Sequence, residues 1–426
     1  MDDKFDTEII SLLQTDPAAA AAKIKEYIEK QRVNMDDMFD TEIKSLMKTD
    51  PAAAVAKIKE YIEKQNNTPL NIAITGEAGS GKSTFINYFR EMTNDDEGAA
   101  PTGVTETTID ISSYPHPKYP NVKLSDLPGV GTTKFPADKY LELVELEKFD
   151  FFVIISDTRF RENDVKLAKE IQKMEKKFYF VRSKIDNDLQ AEKRVKRNFN
   201  EQEILQKIRN DCIQGLQNEG FKSPQVFLLS SFDLHLYDFP LLHETLDKEL
   251  PEHKKHALLM AMPNINLEVI KKKKKALQSK IKYAVLTSAA VAAVPVPGIS
   301  ATVDIGIIAA AVTHYVVSFR LDIPSLKKLA DTTGVPYDDL KQVILSPLVA
   351  VKITPAVIMK VLGQMAGVGV LLAGEEMSRL IPGIGIPASM ALSSTGTYMA
   401  LHQILKMLAE DAEKVFKRAL GLNSSE

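Results

Sequence analysis

Three textures of hydrophobic patterning succeed one another along the chain. Residues 1–67 carry short amphipathic helical patterns, and they do so twice. Residues 1–31 and 35–65 differ only at the pairs 4/38, 10/44, 13/47, 14/48 and 21/55. Each copy is predicted as two short helices broken at Thr-Asp-Pro, with Asp16 and Asp50 as N-caps and Pro17 and Pro51 at the first helical position. The 34-residue period equals that of a tetratricopeptide array, but two copies are too few for a solenoid and the large aromatic positions are missing. A duplicated helical hairpin is the better reading. From Leu70 to about Pro251, β-branched and aromatic runs alternate with charged amphipathic stretches: Leu70–Thr75, Val122–Ser125, Phe151–Ser156, Phe178–Arg182 and Gln225–Ser230. This alternation predicts a parallel sheet with crossover helices. Beyond Pro251 the β signals fade into helical periods with Ala- and Gly-rich apolar runs. The expected organisation is a helical segment over 1–67, an α/β domain over 68–250 and a second helical segment over 251–426.

Composition narrows this little. Hydrophobic residues make up 44% and charged residues 26%, as in ordinary globular domains. A net charge of −3 offers no whole-molecule attraction to nucleic acid, which is not expected as a partner. Cys212 is the single cysteine, so no internal disulfide or thiolate metal cluster is expected. Met1-Asp2-Asp3-Lys4 lacks the pattern of a secretory signal, and Asp2 stands where N-myristoylation needs Gly. A cytoplasmic location is the expectation.

Candidate chemistry changes the picture more. Gly76-Glu77-Ala78-Gly79-Ser80-Gly81-Lys82-Ser83 fulfils G-x-x-x-x-G-K-[ST] between an apolar strand and a helix running from Thr84 to Arg90. Glycines let the backbone curl so that its N–H groups meet phosphate oxygens, and the helix start adds partial positive charge. Gly76, Glu77, Gly79, Ser80, Gly81, Lys82, Ser83 and Thr84 are therefore expected at a nucleotide. Lys82 would reach the β- and γ-phosphates and Ser83 would ligate Mg²⁺. Asp126-Leu-Pro-Gly129 follows a strand, placing Asp126 near the Mg²⁺ and the Gly129 N–H near the γ-phosphate. Ser183-Lys184-Ile185-Asp186 follows another. Asp186 can accept the ring N–H and exocyclic amine of guanine, a pair adenine lacks, so it should select GTP over ATP. Lys184 would cross the base and brace the phosphate loop, and Ser230-Ser231 would close over the base.

The loop Gly98–Asp110 is polar and Thr-rich, suiting a switch segment that joins the Mg²⁺ shell only with γ-phosphate present. Thr102, Thr105, Thr107 and Thr108 are all candidates. The Gln that many small GTPases place after D-x-x-G is missing, and Val130-Gly131-Thr132 stands there. A lone subunit is expected to hydrolyse slowly. Glu106, inside the switch, is the nearest acidic candidate.

These residues, together with Tyr114-Pro-His-Pro117, Asp150–Ser156, Phe178–Arg182 and Tyr237-Asp-Phe-Pro240, resemble the interferon-inducible immunity-related GTPases over residues 70–250 and more weakly beyond. The resemblance implies a Ras-like α/β P-loop GTPase domain on an all-α helical domain formed from N- and C-terminal segments. It implies GTP-driven self-assembly, hydrolysis accelerated across the dimer with Glu106 contributing, association with related GTPases and intracellular membranes, and a role in innate defence. Lys82 stands where the family's regulatory subgroup has methionine, which marks an effector-type member. The alternative function is a nucleotide-gated binding module in which hydrolysis is incidental.

Two readings stand for the apolar C-terminal runs Ala284–Thr313, Val361–Gly374 and Leu380–Ala400, interrupted by Pro-Gly at 297–298 and 382–383. They are buried helices of the helical domain, or arms dipping into one membrane leaflet with Lys271–Lys275 at the headgroups. The lysine run is otherwise a solvated helix face. His253 and His256, without further ligands nearby, read as surface residues.

Overall fold

The computed structural model describes residues 37–103, 111–127, 145–158, 160, 162–292, 299–369 and 394–422. The chain divides into two compact units, Gln65–Asn266 and Met1–Lys64 with Leu267–Glu426. The first copy of the repeat lies outside the described residues. The second forms α1 (Asp37–Thr49) and α2 (Pro51–Asn66). The Asp50 carboxylate accepts the Ala53 N–H at 3.0 Å, so the expected cap and the proline-led start of α2 are both present.

The α/β unit is built from β1 (Leu70–Gly76), α3 (Lys82–Phe89), β2 (Ser112–Pro115), β3 (Val122–Asp126), β4 (Phe151–Ser156), α4 (Glu162–Lys173), β5 (Lys177–Arg182), α5 (Ile185–Val195), α6 (Glu201–Asn218), β6 (Val226–Leu228), α7 (Phe239–Glu249) and α8 (Glu252–Ala261). Strand order is β2-β3-β1-β4-β5-β6. All neighbours pair in parallel except β2, which runs antiparallel to β3. The sheet is therefore mixed, not wholly parallel as expected. β2 escaped the pattern because Ser112-Ser-Tyr-Pro alternates no strong apolar residues, and its proline is tolerated only on an edge.

Side chains alternate across the strands, and the two faces bury different helices. Ile72, Leu124, Phe151 and Val153 meet Phe85 and Phe89 of α3, Phe239 and Leu242 of α7, and Met262. Ala73, Phe152, Ile154 and Phe180 meet Val165 and Ile171 of α4, Leu189 of α5, and Cys212 and Leu216 of α6. The unit runs to Asn266, beyond the boundary expected at 250. The charged opening of α8, Glu-His-Lys-Lys-His, hides a buried second half, Leu258, Met260 and Ala261, packed on β1 and β3.

In the helical unit α9 (Leu267–Ala292) pairs with α14 (Ser394–Ala419), joined by α10 (Ile299–Ser318), α11 (Ile323–Thr333), α12 (Tyr337–Gln342) and α13 (Pro355–Gly369). The N-terminal hairpin docks here: Ile43 and Ile58 pack with Tyr283 and Leu286 of α9, and Phe39 stacks on Tyr61 with centroids 4.2 Å apart. N- and C-terminal segments thus share one core. Within Ala284–Thr313, Val285, Leu286, Ile308 and Val312 are buried against other helices. The stretch Ile305–Thr333 is long and apolar enough by composition to cross a membrane. Its backbone breaks between α10 and α11 at Arg320, where φ is +60°. The lysine run is not one solvated face either, since Lys271 and Lys275 are exposed whereas Lys273 is fully buried. Both Pro-Gly turns and most of Leu380–Ala400 lie outside the described residues.

Candidate nucleotide site

Every strand but β2 ends on the same edge of the sheet, and β1 lies where the order of connection reverses, the place where such sheets hold ligands. The phosphate loop leaves β1 at Gly76, whose φ is +138°; a Cβ there would fall 1.9 Å from the Ile155 carbonyl oxygen. Only glycine permits that approach. Gly81, left-handed at φ +95°, opens α3 without a capping side chain. The amides of the first turn are thus left for an anion. Lys82 is buried, and its Nζ donates to the carbonyls of Gly76 at 3.0 Å and Glu77 at 2.8 Å. Its charge is held within the curl of the loop.

Ser83 and Asp126 come together from α3 and β3. The serine hydroxyl donates to Asp126 Oδ2 at 2.7 Å, and both residues are buried. A hydroxyl and a carboxylate so placed are hard oxygen donors, the set a Mg²⁺ ion takes beside phosphates. Ser80 is fully buried and its Oγ has no hydrogen-bond partner among the described residues. Thr84 is half-buried in the same first turn.

The base-side loops close on the phosphate loop. Ser183 Oγ donates to the Ser80 carbonyl at 2.6 Å, tying the two motifs directly. That bond was not legible beforehand, because a serine opening S-K-x-D announces no partner 103 residues away. The expected brace through Lys184 takes another form: Lys184, left-handed at φ +56°, pairs its Nζ with Asp157 Oδ2 at 2.8 Å. Asp186 lies half-buried in the first turn of α5. Ser230 and Ser231 are buried beside it in sequence register: the Ile185 N–H reaches the Leu229 carbonyl at 3.3 Å, and the Leu229 N–H reaches the Arg182 carbonyl at 2.8 Å. Behind this loop, Arg209 bonds the Val226 carbonyl and Asp238, while Asp238 Oδ2 accepts the Leu228 N–H at 2.8 Å.

The switch loop is described only at its start. Thr102 is exposed, whereas Thr105, Glu106, Thr107, Thr108 and Gly129 lie outside the described residues. Two residues that sequence reasoning passed over hold that start, Asn87 of α3 and Arg90 at its C-cap. Asn87, fully buried, brackets Ala100 with bonds of 2.6 and 2.9 Å. Arg90 grips the carbonyls of Gly98 and Pro115, and burial lowers its pKa. Polar residues three apart on an otherwise apolar helix face were the available signal.

The model of the family described as "Interferon-inducible GTPase (IIGP)" matches residues 37–419. The match thus begins at the second copy of the repeat. The chain is 40% identical over 354 residues to Interferon-inducible GTPase 5 of Rattus norvegicus, covering 83% of this chain and 76% of that protein. It is 38% identical over 359 residues to Interferon-gamma-inducible GTPase 10 of Mus musculus, covering 84% and 83%. A shorter match, 42% identical over 276 residues, joins it to T-cell-specific guanine nucleotide triphosphate-binding protein 2 of Mus musculus. With nine-tenths of its length inside the family match, the chain belongs to the interferon-inducible GTPase family.

Proposed function

We propose that this chain, a GTP-hydrolysing member of its family, turns GTP over faster as copies of it assemble, and that it does so in innate defence at intracellular membranes. The observation that carries the reading is the convergence of Gly76–Ser83, Asp126 and Ser183–Asp186 on one sheet edge, with the Ser183–Ser80 bond joining base and phosphate loops. In this reading the loop amides of Gly76, Glu77, Gly79, Ser80 and Gly81 bind the phosphates, and Thr84 supports the first turn of α3. Lys82 turns from two carbonyls toward the β- and γ-oxygens and offsets their charge. Ser83, Asp126 and Thr102 would hold Mg²⁺, which when bound would offset negative charge on the phosphates. Gly129 senses the γ-phosphate. Asp186 and Lys184 select and cover the guanine, with Ser230 and Ser231 closing the pocket.

Val130 occupies the usual place of the water-orienting Gln, so the isolated chain lacks that group. Glu106 and Thr108, in the switch, would supply it once a second copy fixes the loop. Specific GTPase activity should therefore climb at least about tenfold across a hundredfold range of protein concentration. A low specific activity that stays flat over that range would count against assembly and favour nucleotide-gated binding without coupled turnover.

A further inference from the structure

The base-side loop crowds opposite charges together. Arg182, Lys184, Asp186 and Asp188 fall within seven residues, and Asp157 approaches from the end of β4. Two cations thus face three carboxylates, and the structure sorts them one way. Arg182, 7% exposed, donates Nη1 to the Ser183 carbonyl at 2.6 Å and pairs Nη2 with Asp188 Oδ2. Lys184 pairs with Asp157. The Asp186 carboxylate has no hydrogen bond or ion pair among the described residues. The groups are close enough to feel one another: burial raises the Asp188 carboxyl most, Arg182 opposes that rise, and Asp157 and Asp186 each add to it.

The alternative pairing has a clear cost. A guanidinium or ammonium on Asp186 would occupy the lone pairs that a guanine edge needs, and the base would have to displace a charged partner to bind. Two neighbouring cations held elsewhere leave that acceptor available at no such cost. We infer that Asp157 and Asp188 are positioning residues for base selection: by holding Lys184 and Arg182, they keep the Asp186 carboxylate open for the purine. This rests on the reading of Asp186 as the guanine acceptor.

The sorting makes a prediction that simple bracing does not. In Asp188→Asn the freed Arg182 turns to Asp186, so GDP affinity falls about tenfold while ADP affinity, which does not use that carboxylate, stays within about twofold. Asp157→Asn acts the same way through Lys184. Adding Arg182→Gln to Asp188→Asn removes the competing cation, keeps a donor for the Ser183 carbonyl, and should restore most of the GDP preference. Calorimetric titration of the full chain with GDP and ADP reads all of these, with Asp186→Asn as control. Equal weakening of both nucleotides, or a double variant no better than Asp188→Asn alone, would overturn the sorting. If Asp186→Asn loses guanine preference while Asp157→Asn and Asp188→Asn keep it, the acceptor stands and the sorting falls. If Asp186→Asn keeps guanine preference, the acceptor reading falls and the inference built on it falls too.

Discussion

At Gly76 a single missing Cβ decides whether the phosphate loop can leave β1 at all. The carbonyl oxygen that a methyl would meet at 1.9 Å belongs to the backbone of a central strand, so it cannot swing aside. Gly76→Ala is expected to unfold the α/β unit or lower its melting temperature by more than about 10 °C, read by calorimetric or fluorescence melting. Cys212 shows the opposite situation, a reactive group made inert by its surroundings. It is buried among sheet-facing side chains of α6, and burial pushes its thiol up to about 11. At pH 8 only about a thousandth of it would be thiolate. Alkylation of the native chain should be slow there and should accelerate on unfolding. The raised value also means that folding favours the protonated thiol. That contribution is full below the ordinary value near 9 and is lost as pH rises through about 11. Fast labelling of native protein at pH 8 would refute the burial. Lys82, Asp126 and Asp186 could be singled out as candidate site residues because their motifs fix both residue type and spacing. Asp157, Arg182, Ser183 and Asp188 could not, since their contacts depend on which strand ends the fold makes neighbours.

Among the elements, long patterned ones were legible and edge or hybrid ones were not. β1, β4 and β5 announce themselves as runs dominated by apolar residues because both of their faces are covered. β2 is legible only from its partner, and α8 looks polar until its second half is seen packed on the sheet. The lysine run on α9 misled for a related reason. A helix turns 100° per residue, so consecutive lysines cannot share one environment, and Lys273 lands in the core. α14 supplies a testable case of one element fixing another. Its buried Asp411 accepts the N–H groups of Leu345 at 2.9 Å and Ser346 at 2.8 Å, two amides that follow α12. Burial raises the Asp411 carboxyl while these two bonds oppose that rise. Asp411→Ala strands both amides and should cost about 2–3 kcal/mol in denaturant unfolding. A change below about 0.5 kcal/mol would mean that the segment holds itself.

Over the whole molecule, the division into an α/β nucleotide unit and a helical unit drawn from both ends follows from where each apolar pattern finds cover. The duplicated hairpin illustrates the logic: its second copy buries Ile43 and Ile58 against α9, and only that copy falls within the family match. Of the run Ala284–Thr313, Val285, Leu286, Ile308 and Val312 are buried in the helical unit, whereas Gly306, Ala310 and Thr313 are exposed. The candidate nucleotide site lies at the edge of the sheet where β1, β3, β4, β5 and β6 end. The most direct measurement is calorimetric titration of the purified chain with GDP and ADP, alongside Lys82→Ala. Guanine nucleotide should bind at least about a hundredfold more tightly than adenine nucleotide, and Lys82→Ala should lose about a hundredfold in affinity. Equal affinity for the two nucleotides, or an unchanged affinity without Lys82, would contradict the assignment of this edge as a guanine-nucleotide site.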